Sequence, residues 1–94
     1  MNITTVKFDD IPLKLSEMLQ EKGINYDEKN KSLSIENIKT PIVPRVGDYF
    51  SYITNGILLN GEVVYVNIIV RDKSSDSEIY IVVKIDEDDF YVDE

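Results

Sequence analysis

The chain has no cysteine, histidine, tryptophan or alanine, and only four glycines and three prolines in 94 residues. Each absence removes a class of function. Without cysteine there are no disulfides and no thiolate metal sites. Without histidine the commonest general base and metal ligand is gone, and neither a Ser/His/Asp nor a Cys/His device can be built. Four glycines hold no P-loop and no Gly-x-Gly-x-x-Gly. No run of about 18 apolar residues occurs, so nothing reads as a membrane-spanning helix. The N-terminus, Met-Asn-Ile-Thr-Thr-Val-Lys-Phe-Asp-Asp, lacks the basic-then-apolar form of a signal peptide. These absences predict a cytoplasmic protein that is not an enzyme and carries neither cofactor nor metal.

Basic residues are also scarce. The formal net charge is −8, and it is unevenly placed. Residues 1–60 hold eight acids against seven Lys/Arg, whereas residues 61–94 hold ten against three. Phosphate contacts need clustered Lys and Arg, so this balance argues against direct nucleic-acid binding and against adhesion to anionic membranes. An acidic surface keeps a small domain soluble, and it also complements a basic protein partner.

What is present is β-branched and aromatic. Gly61 to Asp86 reads as two Val/Ile-rich runs around a polar break, the pattern of an antiparallel hairpin. With residues 72–77 as the loop, Val70 faces Ile79, Ile68 faces Ile81, Val66 faces Val83 and Val64 faces Ile85. These eight side chains then share one buried face. On that basis Ile68→Asp is expected to unfold the domain. The other face carries Tyr65, Asn67, Ile69, Tyr80, Val82 and Lys84. It is too apolar for comfortable exposure, and the helix, a curled sheet or a second subunit must cover it.

The rest of the chain supplies that cover. Residues 2–8 alternate as a strand. Asp9 and Asp10 offer a helix N-cap, and Pro12 suits the first turn. Ile11, Leu15, Met18 and Leu19 form one helical stripe, and Gly23 supplies the stop after Lys22. Ile24 to Ile35 reads as a small hairpin turning at Lys29-Asn30, with Glu28 opposite Lys31, Tyr26 opposite Leu33 and Ile24 opposite Ile35; Asn30 tolerates the positive φ of a tight turn. Residues 36–44, with Pro41 and Pro44, read as an extended crossing segment and the place where any internal boundary falls, near 40–44. Tyr49 to Thr54 is a strand with Phe50 and Tyr52 on one face and Tyr49 and Ile53 on the other. Asn55-Gly56 and Asn60-Gly61 are both hairpin signals, too close together to close two hairpins. The preferred reading turns the chain at Asn55-Gly56 and starts the next strand with a bulge at Asn60-Gly61; the alternative is a stubby strand at 57–59. Asp86 to Asp89 turn the chain into a short final strand, Phe90 to Val92.

Pro44, Val46, Gly47 and Asp48, then an aromatic strand, a turn, and two Val-rich strands from Gly61 and Val63 onward, resemble the layout of small SH3-like barrels. The resemblance covers roughly the second half of the chain and implies an architecture, a partial barrel, rather than a function.

The fold class expected is therefore α+β: one short helix packed on a twisted antiparallel β-sheet, with an SH3-like partial barrel in the C-terminal half, all within one domain over residues 1–94. The function expected is protein binding without catalysis. One version docks the acidic run Asp86, Glu87, Asp88 and Asp89 on a basic partner. The run does not fit a calcium loop, which needs alternating acids, a Gly at the sixth position and a Glu at the twelfth. The absence of alanine beside abundant Ile, Lys and Asn is the composition of a low-GC coding source, and by association such a protein is an accessory or inhibitor of a mobile element or phage. A second version is an assembly subunit that dimerises through the apolar face bearing Tyr65 and Tyr80. A third, a peptide-binding module, requires Tyr49 or Tyr52 to be exposed in a groove, and the absence of tryptophan counts against it.

Overall fold

The computed structural model describes residues 2–40, 42–70, 72–73, 77–86 and 90–92. Strand β1, Asn2–Asp9, leads to helix α1, Leu13–Glu21, and then come β2, Leu33–Thr40; β3, Tyr49–Thr54; β4, Ile57–Val70; β5, Ser77–Lys84; and β6, Phe90–Val92. The sheet order is β2-β1-β5-β4-β3, and β6 pairs with the start of β4. One short helix on a sheet curled into a half-barrel agrees with the α+β expectation. The curl is visible in Phe8 of β1 and Phe50 of β3, whose rings lie 6.3 Å apart although two strands separate them in the sheet.

The sheet is not wholly antiparallel. β1 runs parallel to β5 along its whole length, from Asn2 beside Ser77 to Asp9 beside Lys84. This pairing joins the two ends of the chain, and local sequence carries no trace of such a distant contact. Alternation along β1 puts Thr4, Val6 and Phe8 in the core, and the Thr4 and Thr40 hydroxyls hydrogen-bond at 2.8 Å. A bulge in β2 sits where Asn37 takes a left-handed φ of 61°.

The helical stripe lies where its spacing places it. Ile11, Leu15 and Leu19 are buried and Met18 packs at the margin. The helix start differs from expectation. Pro12 itself is the N-cap, in extended conformation and without a side-chain cap, while Asp10 sits at φ 58°. Neither Asp9 nor Asp10 caps, because the chain turns sharply there: the Asp9 carbonyl accepts from the Ile85 amide at 3.0 Å, and the Asp10 carboxylate meets the Lys84 ammonium at 3.9 Å. At the other end Gly23, φ 72°, closes the helix, with the Ile24 amide donating to the Leu19 carbonyl and the Gly23 amide to that of Gln20. That pair of bonds is a Schellman stop.

The small hairpin is reduced to one bridge, Asp27 with Ser32, which keeps the expected register. Its positive φ falls on Lys31 rather than Asn30, because Asn30 is held by Asp27, whose carboxylate accepts from the Asn30 side chain at 2.8 Å and from its backbone amide at 3.1 Å. The Asn30 side-chain bond first, and its backbone bond second, hold the Asp27 carboxyl below the usual carboxylate range. Residues 24–26 join no strand. β2 instead extends to Thr40 against β1, so the first part of the expected crossing segment is strand.

In the main hairpin the register is displaced by two residues. Val70 faces Ser77, Ile68 faces Ile79 and Val66 faces Ile81. A shift of two preserves which face each side chain takes, so hydrophobic pattern alone does not resolve it. A bulge between Val63 and Tyr65 then changes the parity, so that Val63 faces Val83 in the core and Val64 is turned out. The bulge therefore sits beyond Asn60-Gly61, and β4 runs straight through that dipeptide. Asn55 and Gly56, at φ 49° and 78°, close a two-residue hairpin. Gly61 is needed for close approach: a Cβ there would meet the Lys84 carbonyl oxygen at 2.3 Å and Val83 Cγ1 at 2.8 Å.

The eight-residue buried face is only partly realised. Ile79, Ile81, Val83 and Ile85 are buried and Val66 is half-buried, but Val64, Ile68 and Val70 are exposed. Ile68 is 51% exposed, which favours survival of the fold in Ile68→Asp over the unfolding that the sequence pattern predicts. Among the described residues no helix is long and apolar enough to cross a membrane.

Candidate functional site

The hairpin turn at Asn55-Gly56 fixes how far β3 can cover β4. Thr54 pairs with Ile57 and Tyr49 with Glu62, and the last backbone bonds run from the Gly47 amide to the Val63 carbonyl and from the Val63 amide to the Asp48 carbonyl, both 2.8 Å. Continuing that register would set Pro44, which has no amide proton, opposite Asn67. β3 therefore stops and β4 continues alone. Among the described residues, 64–70 of β4 pair only with β5, and their other edge has no strand.

This overhang exposes both faces. Ile68 and Val70 point to the side that is the core further along the sheet, past the reach of α1 and β3. Tyr65 and Ile69 lie on the opposite face, beside Tyr80 and Val82 of β5 and near Ile3 of β1. The structure brings Tyr65 and Tyr80 together edge-on, with ring centroids 6.2 Å apart and planes at 69°. Among the described residues no helix or curled strand covers them: Tyr65 is 50% exposed, and Tyr80 is half-buried. Residues 63–70 contain no charged side chain.

Other strand edges differ. β2 carries Glu36, Lys39 and the Asn37 bulge, which are the usual guards against further pairing. β3 is only six residues long, and its start adjoins the end of β2 and residues 42–44 across a hollow of about 390 Å³. Tyr49 lines that hollow with Ile42 and Pro44 and is 69% exposed, while Tyr52 is half-buried against the core. The exposed aromatic that a peptide-binding module requires is thus Tyr49 alone.

The acidic run is not assembled with the tyrosines in what is described. Asp86 is exposed, two residues past β5 and four along the chain from Val82, the strand partner of Tyr65. Glu87, Asp88 and Asp89 lie outside the described residues. Among the described residues no three Asp or Glu side chains gather in a group fit to hold a metal ion.

One more cluster is polar and partly exposed, beside α1. Tyr26 Oη shares a hydrogen bond with Ser16 Oγ and accepts from Gln20 Nε2 at 3.0 Å, and Gln20 also donates to Glu28 at 3.2 Å. These groups satisfy one another and clasp the 24–31 segment to the helix, so they are structural.

The overhang was missed in sequence because every residue in it looks like core. The signal that reveals it is arithmetic: counting back from Asn55-Gly56 reaches Pro44 before β4 is covered. Comparison with family models, with curated proteins and with solved structures gives no match.

Proposed function

We propose that this chain is a protein-binding module without catalytic activity, and that it docks through the uncovered half of β4. One observation carries the proposal: an uncharged, β-branched strand segment with one open edge and two exposed faces. Such an edge is a template for another strand. Proteins that do not use one guard it with charge, proline or a covering element. Tyr65, Tyr80 and Ile69 supply the aromatic and aliphatic anchors that interfaces favour.

A tagged chain passed over lysate of its source cell tests this, with Ile69→Lys as the comparison. Proteins held by the parent chain through high salt, and lost by Ile69→Lys, support docking at β4. Equal retention by both removes β4 from the binding surface.

A second version rests on the charge asymmetry. Here the acidic C-terminal part, with Asp86 to Asp89, docks on a basic partner, as an accessory or inhibitor of a mobile element or phage would. Its complex dissolves at high salt. Replacing Asp86, Asp88 and Asp89 by Asn slows its association, whereas Ile69→Lys leaves it unchanged.

A further inference from the structure

We infer that the occupant of the open edge of β4 is a second copy of this chain, paired antiparallel about Asn67. The inference rests on the docking reading above and names its partner. Three observations select a second copy over a foreign strand.

The first is charge. Although the chain carries −8, residues 63–70 carry none, between Glu62 and Arg71. A basic strand laid along this edge meets no acid, whereas an identical strand meets no like charge. The second is symmetry. Two antiparallel copies of one strand lie about a twofold axis normal to the sheet, so each face continues across the junction. Side chains on one face must then meet side chains of the same face. Centring the axis on Asn67 overlaps the whole of 64–70. It sets Val66 against the second copy's Ile68, Tyr65 against its Ile69, and Asn67 against its Asn67, with the bulged Val64 at the end of the ladder. Each pair is apolar on apolar except the last, where two carboxamides each offer a donor and an acceptor to the other.

The third is size. Val63, the last residue held by the segment leading into β3, marks one end of the opening and Val70, where β4 stops, marks the other. Seven residues span about 23 Å. Val64, Tyr65, Ile68, Ile69 and Val70, each at least 41% exposed, present on the order of 1,000 Å² over both copies, and the part that edge pairing covers puts this interface in the small, reversible class. The two half-barrels then share one continuous sheet, and the Tyr65–Tyr80 pairs of both copies lie on its same face.

The absence of native cysteine makes a direct test available. Directly opposed residues in an antiparallel pair have Cα atoms ~4.5–5.5 Å apart, within disulfide range. Asn67→Cys is expected to cross-link to itself under mild oxidation at least tenfold faster than Lys39→Cys on β2. Sedimentation equilibrium of the parent chain is expected to give twice the chain mass at high concentration, and Ile69→Lys is expected to raise the dissociation constant at least tenfold. A parent chain that stays monomeric at millimolar concentration overturns the inference. So does a dimer in which Asn67→Cys cross-links no faster than Lys39→Cys. Amide exchange on the monomer separates this failure from failure of the docking reading. Fast exchange at alternate amides of 64–70 leaves the edge open for another protein, whereas uniform protection removes both proposals.

Discussion

β4 is one strand with two halves of opposite fates. In 57–63, Ile57, Leu59 and Val63 are fully buried, with β3 on one edge and β5 or β6 on the other. In 64–70, Val64, Ile68, Ile69 and Val70 are at least 41% exposed, with β5 on one edge only. Hydrophobicity does not explain the difference, since 57–63 reads Ile-Leu-Leu-Asn-Gly-Glu-Val and 64–70 reads Val-Tyr-Val-Asn-Ile-Ile-Val, and the more apolar half is the exposed one. Coverage explains it. The turn at Asn55-Gly56 and the proline at 44 set the length of β3, and the bulge at Val64 changes which residues face inward where that cover ends. An apolar strand is core only for as long as something lies over it.

The two halves should respond differently to truncation. Leu59→Ala is expected to cost about 2–5 kcal/mol, as buried leucines do, and Ile68→Ala less than about 1 kcal/mol. Urea melts of both variants measure the contrast, and equal losses would erase the distinction between the halves. Next in size is Gly61→Ala. Its methyl group meets backbone at Lys84, which cannot swing away, so β4 and β5 must part locally. A loss of about 1–3 kcal/mol is expected from overpacking. A neutral melt for that variant would show that the strands are not in this close contact.

Ile68→Asp sharpens the comparison further, because it places a charge in the second half. With Ile68 half-exposed, the fold is expected to survive with less than about 1 kcal/mol lost and a cooperative melt, while self-association falls at least tenfold. Unfolding of this variant would return Ile68 to the core. The smallest effect belongs to Asp27, remote from β4. Its pKa is lowered in the folded chain, so its contribution is fully present above the unfolded value of 3.8 and is lost as pH falls through the lowered folded value. Asp27→Asn is expected to remove this acid dependence with a small loss of stability at neutral pH, so that parent and variant converge in melts as the pH falls well below 3.8.

Elements whose cause is local were legible in the sequence. The alternation of β1, the Ile11-Leu15-Leu19 stripe, the Gly23 stop and the Asn55-Gly56 turn each follow from a few neighbouring residues. The pairing of β1 with β5 was not legible, since it depends on residues some 75 positions apart that carry no local mark. The two-residue shift in the main hairpin escaped because it preserves the faces. Asn60-Gly61 misled because a glycine placed for close approach reads the same as one placed for a turn. For the candidate site, Tyr65 and Tyr80 were legible as one face of one hairpin. The exposure of Ile68 and Val70 was not, because burial is set by the length of another strand. Of the acidic run only Asp86 falls within the described residues, so the expectation placed on Glu87, Asp88 and Asp89 stands as a proposal.

The most direct measurement is residue-resolved amide exchange along β4, at low and at high concentration of the full chain. If β4 is covered in its first half and open in its second, amides of 57–63 are protected at both concentrations. Alternate amides of 64–70 then exchange at loop-like rates when dilute and become protected when concentrated. Uniform protection of 57–70 at every concentration would contradict the open edge, and with it the docking role of this strand.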